Sequence, residues 1–502
     1  MLKQKPTPDF HEFCALAHPG AIVPVYIEIP FDLDTPVTAF QKLRDPPFSF
    51  LLESAEGAER WARFSFLGSS PRDAWRLTGG EIQTWKDGVW DSPRLTEDPY
   101  ADFENWMGHF EPVPTEEIPG FWGGAVGYFG YDMVRWSEKL PNPPPDDVGI
   151  ADALFIATKN VLIIDNLYSR AFGVTSVPIP HTEKVDLDNL RTRYEKAVKQ
   201  LGEWLSRLDQ PHTLPPLGED DIDEVELTRN RSKDDYESAV SRIQKYIAAG
   251  DAYQVVISQR TSSRFVGDPL QLYRALRQNN PSPYLFFMEL DGAHLIGSSP
   301  ETLVRVEDNE VTLRPIAGTR PRGLSPTEDA AFEASLLADE KERSEHLMLV
   351  DLGRNDVSRV ATPGSVRIPR FMEIERYSHV MHLVSEVVGA LKPGLSAIDA
   401  FRACFPAGTL TGAPKIRAME IIDELEPTRR GPYGGAAGYI SYGAQNLDMA
   451  IVIRTLLSVA DRVYAQAGAG VVYESDPTRE WEETEHKAQV LFQALASARM
   501  VD

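Results

Sequence analysis

Apolar positions along the chain change their spacing several times, and each change marks an element. Residues 185–206 repeat apolar positions at helical spacing. So do 233–249, where Tyr236, Val240, Ile243 and Ile247 share a face and Gly250 ends the run. From 253 to 316 the period drops to two. In "YQVVISQR", Tyr253, Val255 and Ile257 fall on one face and Gln254, Val256 and Ser258 on the other. "AHLIGSS", "TLVRV" and "EVTLRPI" read as a meander, with Asp308-Asn309 turning one hairpin. Helical spacing returns at 328–350, 395–404 and 414–425, strands at 435–474, and a closing helix at 476–499. The N-terminal half adds strand-like "VPVYIEI", "RFSFLG" and "ALFIATKNVLIID". Strands in blocks separated by helices predict an α+β fold of largely antiparallel sheets, not a doubly wound parallel sheet.

The clearest seam is 207–232, "RLDQPHTLPPLGEDDIDEVELTRNRS", where Pro211, Pro215, Pro216 and a run of acids interrupt both periods. It divides the sequence into 1–206, a linker at 207–232, and 233–502. No repeat at solenoid spacing and no low-complexity tract is visible.

Composition narrows the function. With 502 residues and 42% hydrophobic content the chain has material for a large core. Its formal charge of −24 argues against binding nucleic acid or anionic membrane. No apolar run reaches the roughly 20 residues of a membrane span. "MLKQKPTPDF" lacks a secretory h-region, and two cysteines, Cys14 and Cys404, make no disulfide framework. A cytoplasmic protein is expected. An anionic substrate would need local positive charge against that global field.

Several stretches carry candidate chemistry. Glu480 and Glu483 lie three apart on the closing helix, with Lys487 one turn beyond. Glu342 and Glu345 repeat the spacing in "ADEKERSEHLMLV". Each pair alone reads as a solvated helix face; together they could face each other across a hard cation that takes oxygen ligands. Arg454 sits in the apolar run "MAIVIRTLLSV", where a buried guanidinium needs an anion, either a structural carboxylate or a substrate's. "QAGAGVVY" leaves a strand at Gly468-Ala469-Gly470, small residues that let backbone amides approach an anion. "PAGTLTGAPK" turns into a helix near Pro414, with Thr409 or Thr411 available to donate to a ligand or to cap. Glu301 follows a Ser-Ser-Pro turn between strands. His379 and His382 sit in the partly apolar "YSHVMHLVS", where satisfied core histidines are the ordinary account. No Ser/His/Asp set or zinc-like Cys/His cluster is apparent.

In order along the chain, "GDAYQVVISQR", "GSSPETLVR", "PIAGTRPRG", "EKERSEHLMLVDLGRND", "YSHVMHLVS", "FPAGTLTGAPK", "GPYGGAAGY", "IVIRT" and "QAGAGVVYESDPTREWEETEHK" resemble the chorismate-utilising enzymes. The resemblance runs through nearly all of 233–490 and more loosely through 20–170. It implies that family's fold, two interleaved layers of largely antiparallel β-sheet with helices packed outside. Within the family the chain is most similar to the branch that makes anthranilate. That branch adds ammonia at C2 of chorismate with loss of the C4 hydroxyl, then eliminates pyruvate.

By this resemblance, Glu345 and Glu483 would be Mg²⁺ carboxylates, with Glu342 and Glu480 holding the metal's waters. Gly318, Thr319, Tyr433, Arg454, Gly468, Ala469, Gly470 and Lys487 would grip chorismate's two carboxylates. Glu301 would be the general acid at the C4 hydroxyl. Thr409 and His382 would lie against the ring, His382 tied to pyruvate elimination. Gln254 stands where isochorismate and salicylate synthases carry a water-activating lysine. Ala317 stands where aminodeoxychorismate synthases usually carry a nucleophilic lysine.

The resemblance also implies regulation and a partner. Ser54, Pro283, Tyr284 and Leu285, with Leu52 and Tyr439, would line a tryptophan-inhibitor pocket, making 1–206 a regulatory half and 233–502 the catalytic half. A simple core is the plainer reading of those stretches. Neither cysteine lies in a glutaminase elbow, so a separate glutamine amidotransferase subunit is expected to supply ammonia. Two rivals stand beside this reading. One is an enzyme that stops at 2-amino-4-deoxyisochorismate, or an aminodeoxychorismate synthase without the lysine. The other is an inactive homologue that senses tryptophan or chorismate.

Overall fold

The computed structural model describes residues 5–54, 63–108, 110–115, 117–181, 186–218, 225–377 and 380–498. His379 and residues 219–224 of the predicted linker lie outside these described residues. The described chain folds into two large sheets of thirteen strands each. Pairing among the described residues is antiparallel, except where Ala21–Pro30 meets Glu111–Pro112 in parallel. The α+β expectation holds.

Both sheets cross the seam. In the first, Tyr284–Leu290 pairs with Phe48–Glu53. In the second, Ala436–Ser441 pairs with Gly124–Phe129. The two parts of the sequence therefore share sheets, and neither sheet belongs to one part. Part of the predicted linker also contributes structure: Ser206–Asp209 is a 3₁₀ turn, and Thr228–Arg229 adds a short edge strand beside Gln254–Arg264.

Alternation along the strands sorts apolar side chains onto two faces. Phe50, Val126, Tyr128, Ile163, Phe286 and Met288 fill the layer between the sheets. On the outer faces, Phe129, Phe155, Val350, Phe401 and Met449 pack one helical layer, while Phe40, Leu272, Phe287, Leu491 and Leu495 pack the other. Helices thus cover both outer faces, as the resemblance implied.

Local signals explain most boundaries. Asp308 and Asn309 both adopt positive φ and turn the hairpin between Thr302–Glu307 and Glu310–Leu313. Ser232 caps Lys233–Ala248 with a capping box to Asp235. The helix predicted over 328–350 is two helices, Pro326–Ala338 and Glu340–Val360. Asp339 divides them: its backbone leaves the helical region, and its carboxylate accepts from the Lys341 and Glu342 amides as a new N-cap. Tyr253, grouped with Val255 and Ile257 on one face of "YQVVISQR", precedes the strand and is exposed, whereas Val255 and Ile257 face the core.

Two of the crossings between the sheets bear charged residues. The chain leaves the first sheet after Ala293–Ser299 and enters the second at Thr302–Glu307. It returns after Leu447–Ile451 to resume the first at Thr455–Val459. Glu301 sits on one crossing and Arg454 on the other. The apolar run around Arg454, read as one strand, is therefore broken. Arg454 itself takes φ 49°, a left-handed conformation that ends strand pairing there.

Candidate active site

Because Thr455–Val459 pairs with Arg462–Val471 only as far as Ala465, the rest of that strand has no neighbour on one side among the described residues. A cavity of about 520 Å³ occupies the opening. Its wall includes Gln254, Glu301, Gly318, Thr319, Glu342, Glu345, Thr409, Tyr433, Arg454, Gly468, Gly470, Glu480, Glu483 and Lys487. Residues from 254 to 487 thus meet in one space, brought together by two sheet edges, two crossings and two helices.

Glu301 is buried, and burial pushes its pKa up to about 8. A hydrogen bond from Thr409 Oγ1 (3.0 Å) and the charge of Lys487 hold it lower than burial alone would. Near neutral pH this carboxyl keeps its proton. Capping, the ordinary task foreseen for Thr409 or Thr411, is not what either does. The helix Lys415–Leu425 has no side-chain cap; Thr409 serves Glu301, and Thr411 donates to the Ala407 carbonyl.

Arg454 has no carboxylate partner among the described residues, and burial lowers its pKa. The structural ion pair that would explain it is absent there, so its charge faces the cavity. Lys487 Nζ reaches the Gly468 carbonyl (3.0 Å) and Glu483 (2.7 Å). Gly468 and Gly470 lie inside the strand Arg462–Val471, not beyond its end. A Cβ at Gly468 would stand 2.8 Å from the Tyr433 hydroxyl, and one at Gly470 2.7 Å from Gln254 Nε2. Bare backbone there keeps the wall open. Ala469 points away, since neighbouring strand residues alternate.

Glu342 and Glu345 project from Glu340–Val360, and Glu480 and Glu483 from Pro477–Ser497. Burial raises the pKa of Glu342, with Glu345 adding to it; burial and Glu483 do the same to Glu480. Gln254 Nε2 donates to Glu345 Oε1 at 3.0 Å. Among the described residues no three acidic, His or Cys side chains are already gathered as a metal would hold them. Two carboxylate pairs lining one cavity nevertheless have the oxygen-donor chemistry that fits Mg²⁺, which binds through one or two carboxylates and keeps other positions for water and substrate oxygens. The mutual repulsion within each pair is what a divalent cation would relieve.

His382 is not on the cavity wall. It stands behind it, Nδ1 lying 3.0 Å from the Gly318 carbonyl and 3.1 Å from Thr319 Oγ1, with its ring edge-on to Tyr377. Gly318 reaches this position through φ 64° at a register shift between Ala317 and Thr319. Lys341, which sequence reasoning passed over, also lines the cavity; it stands one residue before Glu342, outside the paired-acid pattern.

A second cavity, about 310 Å³, lies between the sheets and contains all six predicted inhibitor positions: Leu52, Ser54, Pro283, Tyr284, Leu285 and Tyr439. Phe121 stacks on Tyr439 at 4.1 Å between centroids. Tyr284 donates to the half-buried Asp448 (2.8 Å) and accepts from Thr302 (2.9 Å). Asp448 and Arg305, both missed in the sequence, line this cavity; each occupies a strand position that alternation alone did not mark.

A sequence model of chorismate binding enzymes matches residues 94–493. The anthranilate synthase component 1 of Pseudomonas putida is 47% identical over 97% of this chain and 98% of its own length. That of Aquifex aeolicus is 45% identical over 95% of each. Among solved structures, anthranilate synthase component I from Streptococcus pneumoniae superposes with a TM-score of 0.74 at 35% identity, covering 92% of this chain and 99% of that one. A menaquinone-specific isochorismate synthase from Escherichia coli, at 18% identity and TM-score 0.68, shares the fold. The chain belongs to the chorismate binding enzyme family, with anthranilate synthase component 1 proteins as relatives over nearly its whole length.

Proposed function

We propose that the chain turns chorismate and ammonia into anthranilate, pyruvate and water, receives its ammonia from a glutaminase partner, and is inhibited by tryptophan in the second cavity. One observation carries the catalytic reading. A carboxyl kept protonated near neutral pH, Glu301, shares a cavity with a guanidinium that has no carboxylate partner among the described residues, two lysine ammoniums and two glutamate pairs.

Each residue has a defined task. Arg454 and Lys487 attract the two carboxylates of chorismate, against a net charge of −24. Tyr433 and the bare strand at Gly468 and Gly470 shape the wall that receives them. Glu301 donates its proton to the departing C4 hydroxyl, which leaves as water as the C2–N bond forms. Gln254 offers no base, and ammonia needs none. Ala317 offers no nucleophile, which supports direct amination over a covalent route. His382, behind the wall against Gly318 and Thr319, would serve the later elimination that expels pyruvate and restores the aromatic ring by holding those two residues in place. Mg²⁺ bound by Glu345 and Glu483, with Glu342 and Glu480 on its waters, would neutralise and orient a ring carboxylate.

Partner and inhibitor rest on separate supports. The relatives' designation as component 1 supports a second component. The thiol of Cys404 is buried and pushed up in pKa, unlike a glutaminase nucleophile. An aromatic-walled cavity with a buried carboxylate and an arginine suits an aromatic amino acid.

The test is an anthranilate fluorescence assay with the chain alone, chorismate, Mg²⁺ and ammonium salt, following chorismate loss in parallel. Rising fluorescence that EDTA stops supports the reading. Chorismate loss without fluorescence points to an aminated intermediate as product. Untouched chorismate in these conditions overturns it for the isolated chain.

A further inference from the structure

Behind the catalytic wall, Arg430 is buried with 3% exposure and its guanidinium is held by four hydrogen bonds. Nε donates to Glu426 Oε2 (2.9 Å) and Nη2 to Glu426 Oε1 (2.8 Å). Nη2 also donates to the Val256 carbonyl (2.8 Å), and Nη1 to the Leu410 carbonyl (2.7 Å). The same guanidinium lies over Tyr131 at 4.7 Å and beside Tyr433 at 5.6 Å from the ring centroids. Glu426 Oε1 in turn accepts from the Ser258 amide (2.8 Å) and hydroxyl (2.7 Å).

A buried ion pair is seldom better for stability than well-packed apolar residues of the same volume. The destinations of these bonds suggest another purpose. Val256 and Leu410 both line the catalytic cavity. Ser258 is the register partner of Gly468. Leu410 follows Thr409, the residue whose hydroxyl binds Glu301. One planar fork thus ties the short helical turn Gly408–Thr411, which carries Thr409, to the strand facing Gly468 and Gly470, which a point-charge lysine has no geometry to do.

We infer that Arg430, braced by Glu426, is a positioning residue for the acid Glu301, acting through Leu410 and Thr409. This rests on the reading of Glu301 as the general acid. Besides the Thr409 hydroxyl, Glu301 shares the main cavity with Lys341, Arg454 and Lys487 and with Glu342, Glu345, Glu480 and Glu483, and a cavity of about 50 Å³ behind it with Arg314 and Asp356. The hydrogen bonds of Arg430 go to Glu426, Val256 and Leu410, and of these Leu410 alone adjoins a residue bonded to Glu301.

A double-mutant cycle tests that path, with R430K, T409V and R430K/T409V assayed for kcat, chorismate KM, melting temperature and the alkaline limb of kcat/KM. T409V should lower kcat about 10-fold and move the alkaline limb upward, because Glu301 loses the hydrogen bond that favours its ionised form. R430K should lower kcat similarly, move the limb the same way, and leave KM within about 3-fold. Adding R430K to T409V should change kcat by less than about 2-fold, since both act at one point. Additive losses, or a lower melting temperature with kcat intact, overturn the inference. T409V with unchanged kcat and limb breaks the path at Thr409 and overturns the inference, whereas Glu301→Gln with unchanged kcat overturns instead the acid reading beneath it. If R430K does not fold, E426Q keeps the shape while loosening the fork. The same non-additivity with T409V then supports the inference, and additivity overturns it.

Discussion

The two cavities meet at a single turn, yet they treat charge in opposite ways. Pro300 and Thr302 line the second cavity and Glu301, between them, lines the first. In the first, charge is only partly matched: Lys487 meets Glu483, but Arg454 has no carboxylate among the described residues, and each glutamate pair repels itself. In the second, the protein supplies its own partners. Tyr284 meets Asp448 and Thr302, and Glu53 is met by Arg277 and the Tyr273 hydroxyl. Unmatched charge is costly in a folded protein and persists where a ligand completes it. On the proposed function, the first cavity binds ions and moves a proton. The second is built to recognise shape, with aromatic walls and a few fixed polar groups.

The sharpest way to break this contrast is to remove the proton. Glu301→Gln keeps size and neutral charge but donates no acid, and should lower kcat by roughly 10²- to 10⁴-fold. Chorismate binding, measured by equilibrium titration, should change little. A loss in binding equal to the loss in kcat would place Glu301 among the binding groups. Next in size is Glu483→Gln. It removes one carboxylate of the proposed Mg²⁺ site and should raise the Mg²⁺ concentration needed for half-maximal activity about 10- to 100-fold. A variant with an unaltered Mg²⁺ titration would show that the glutamate pairs are only a charged rim.

How far the sequence led differs between the two regions. The helix-borne pairs Glu342/Glu345 and Glu480/Glu483 were legible because three-residue spacing on a helix is a local property. The resemblance supplied the six positions of the second cavity, which local patterning reads only as core. The sheet crossings were not legible. "MAIVIRTLLSV" has the apolar density of one buried strand, and nothing local announces that Arg454 turns left-handed between two sheets. The fork of Arg430 was hidden for a similar reason. Its contacts at Val256 and Leu410 are 174 and 20 residues away, and no periodicity reports separations of that kind. Interleaving of the sequence's two parts was hidden likewise, since it depends on which strand edges meet.

A smaller effect sharpens the role of the second cavity. Tyr284→Phe deletes the hydroxyl that joins Asp448 to Thr302, one residue from the proposed acid Glu301. Burial already raises the pKa of Asp448, so losing its hydrogen-bond donor disturbs a group that the cavity must keep ordered. The concentration of tryptophan giving half inhibition should rise about 10-fold, corresponding to roughly 1.4 kcal/mol. Isothermal titration beside the inhibition assay separates two routes. If binding weakens in step with inhibition, the hydroxyl serves recognition. If binding persists while inhibition fades, the turn carrying Pro300, Glu301 and Thr302 transmits the signal.

The smallest effect is a matter of pH, and its sign comes from the acid's role. The general acid must hold its proton when chorismate binds. Glu301 holds it below about pH 8 and loses it as pH rises through that value. The kcat/KM profile should therefore fall on its alkaline side, to half its plateau near pH 8, as the protonation of a single group in the free enzyme. Tryptophan at a fixed subsaturating concentration should lower the whole curve. A shift of the alkaline midpoint with tryptophan would mean that occupancy of the second cavity reaches the Glu301 carboxyl itself, through the one turn the two cavities share. A midpoint that stays put would mean that inhibition acts on the shape of the site and leaves its proton chemistry alone.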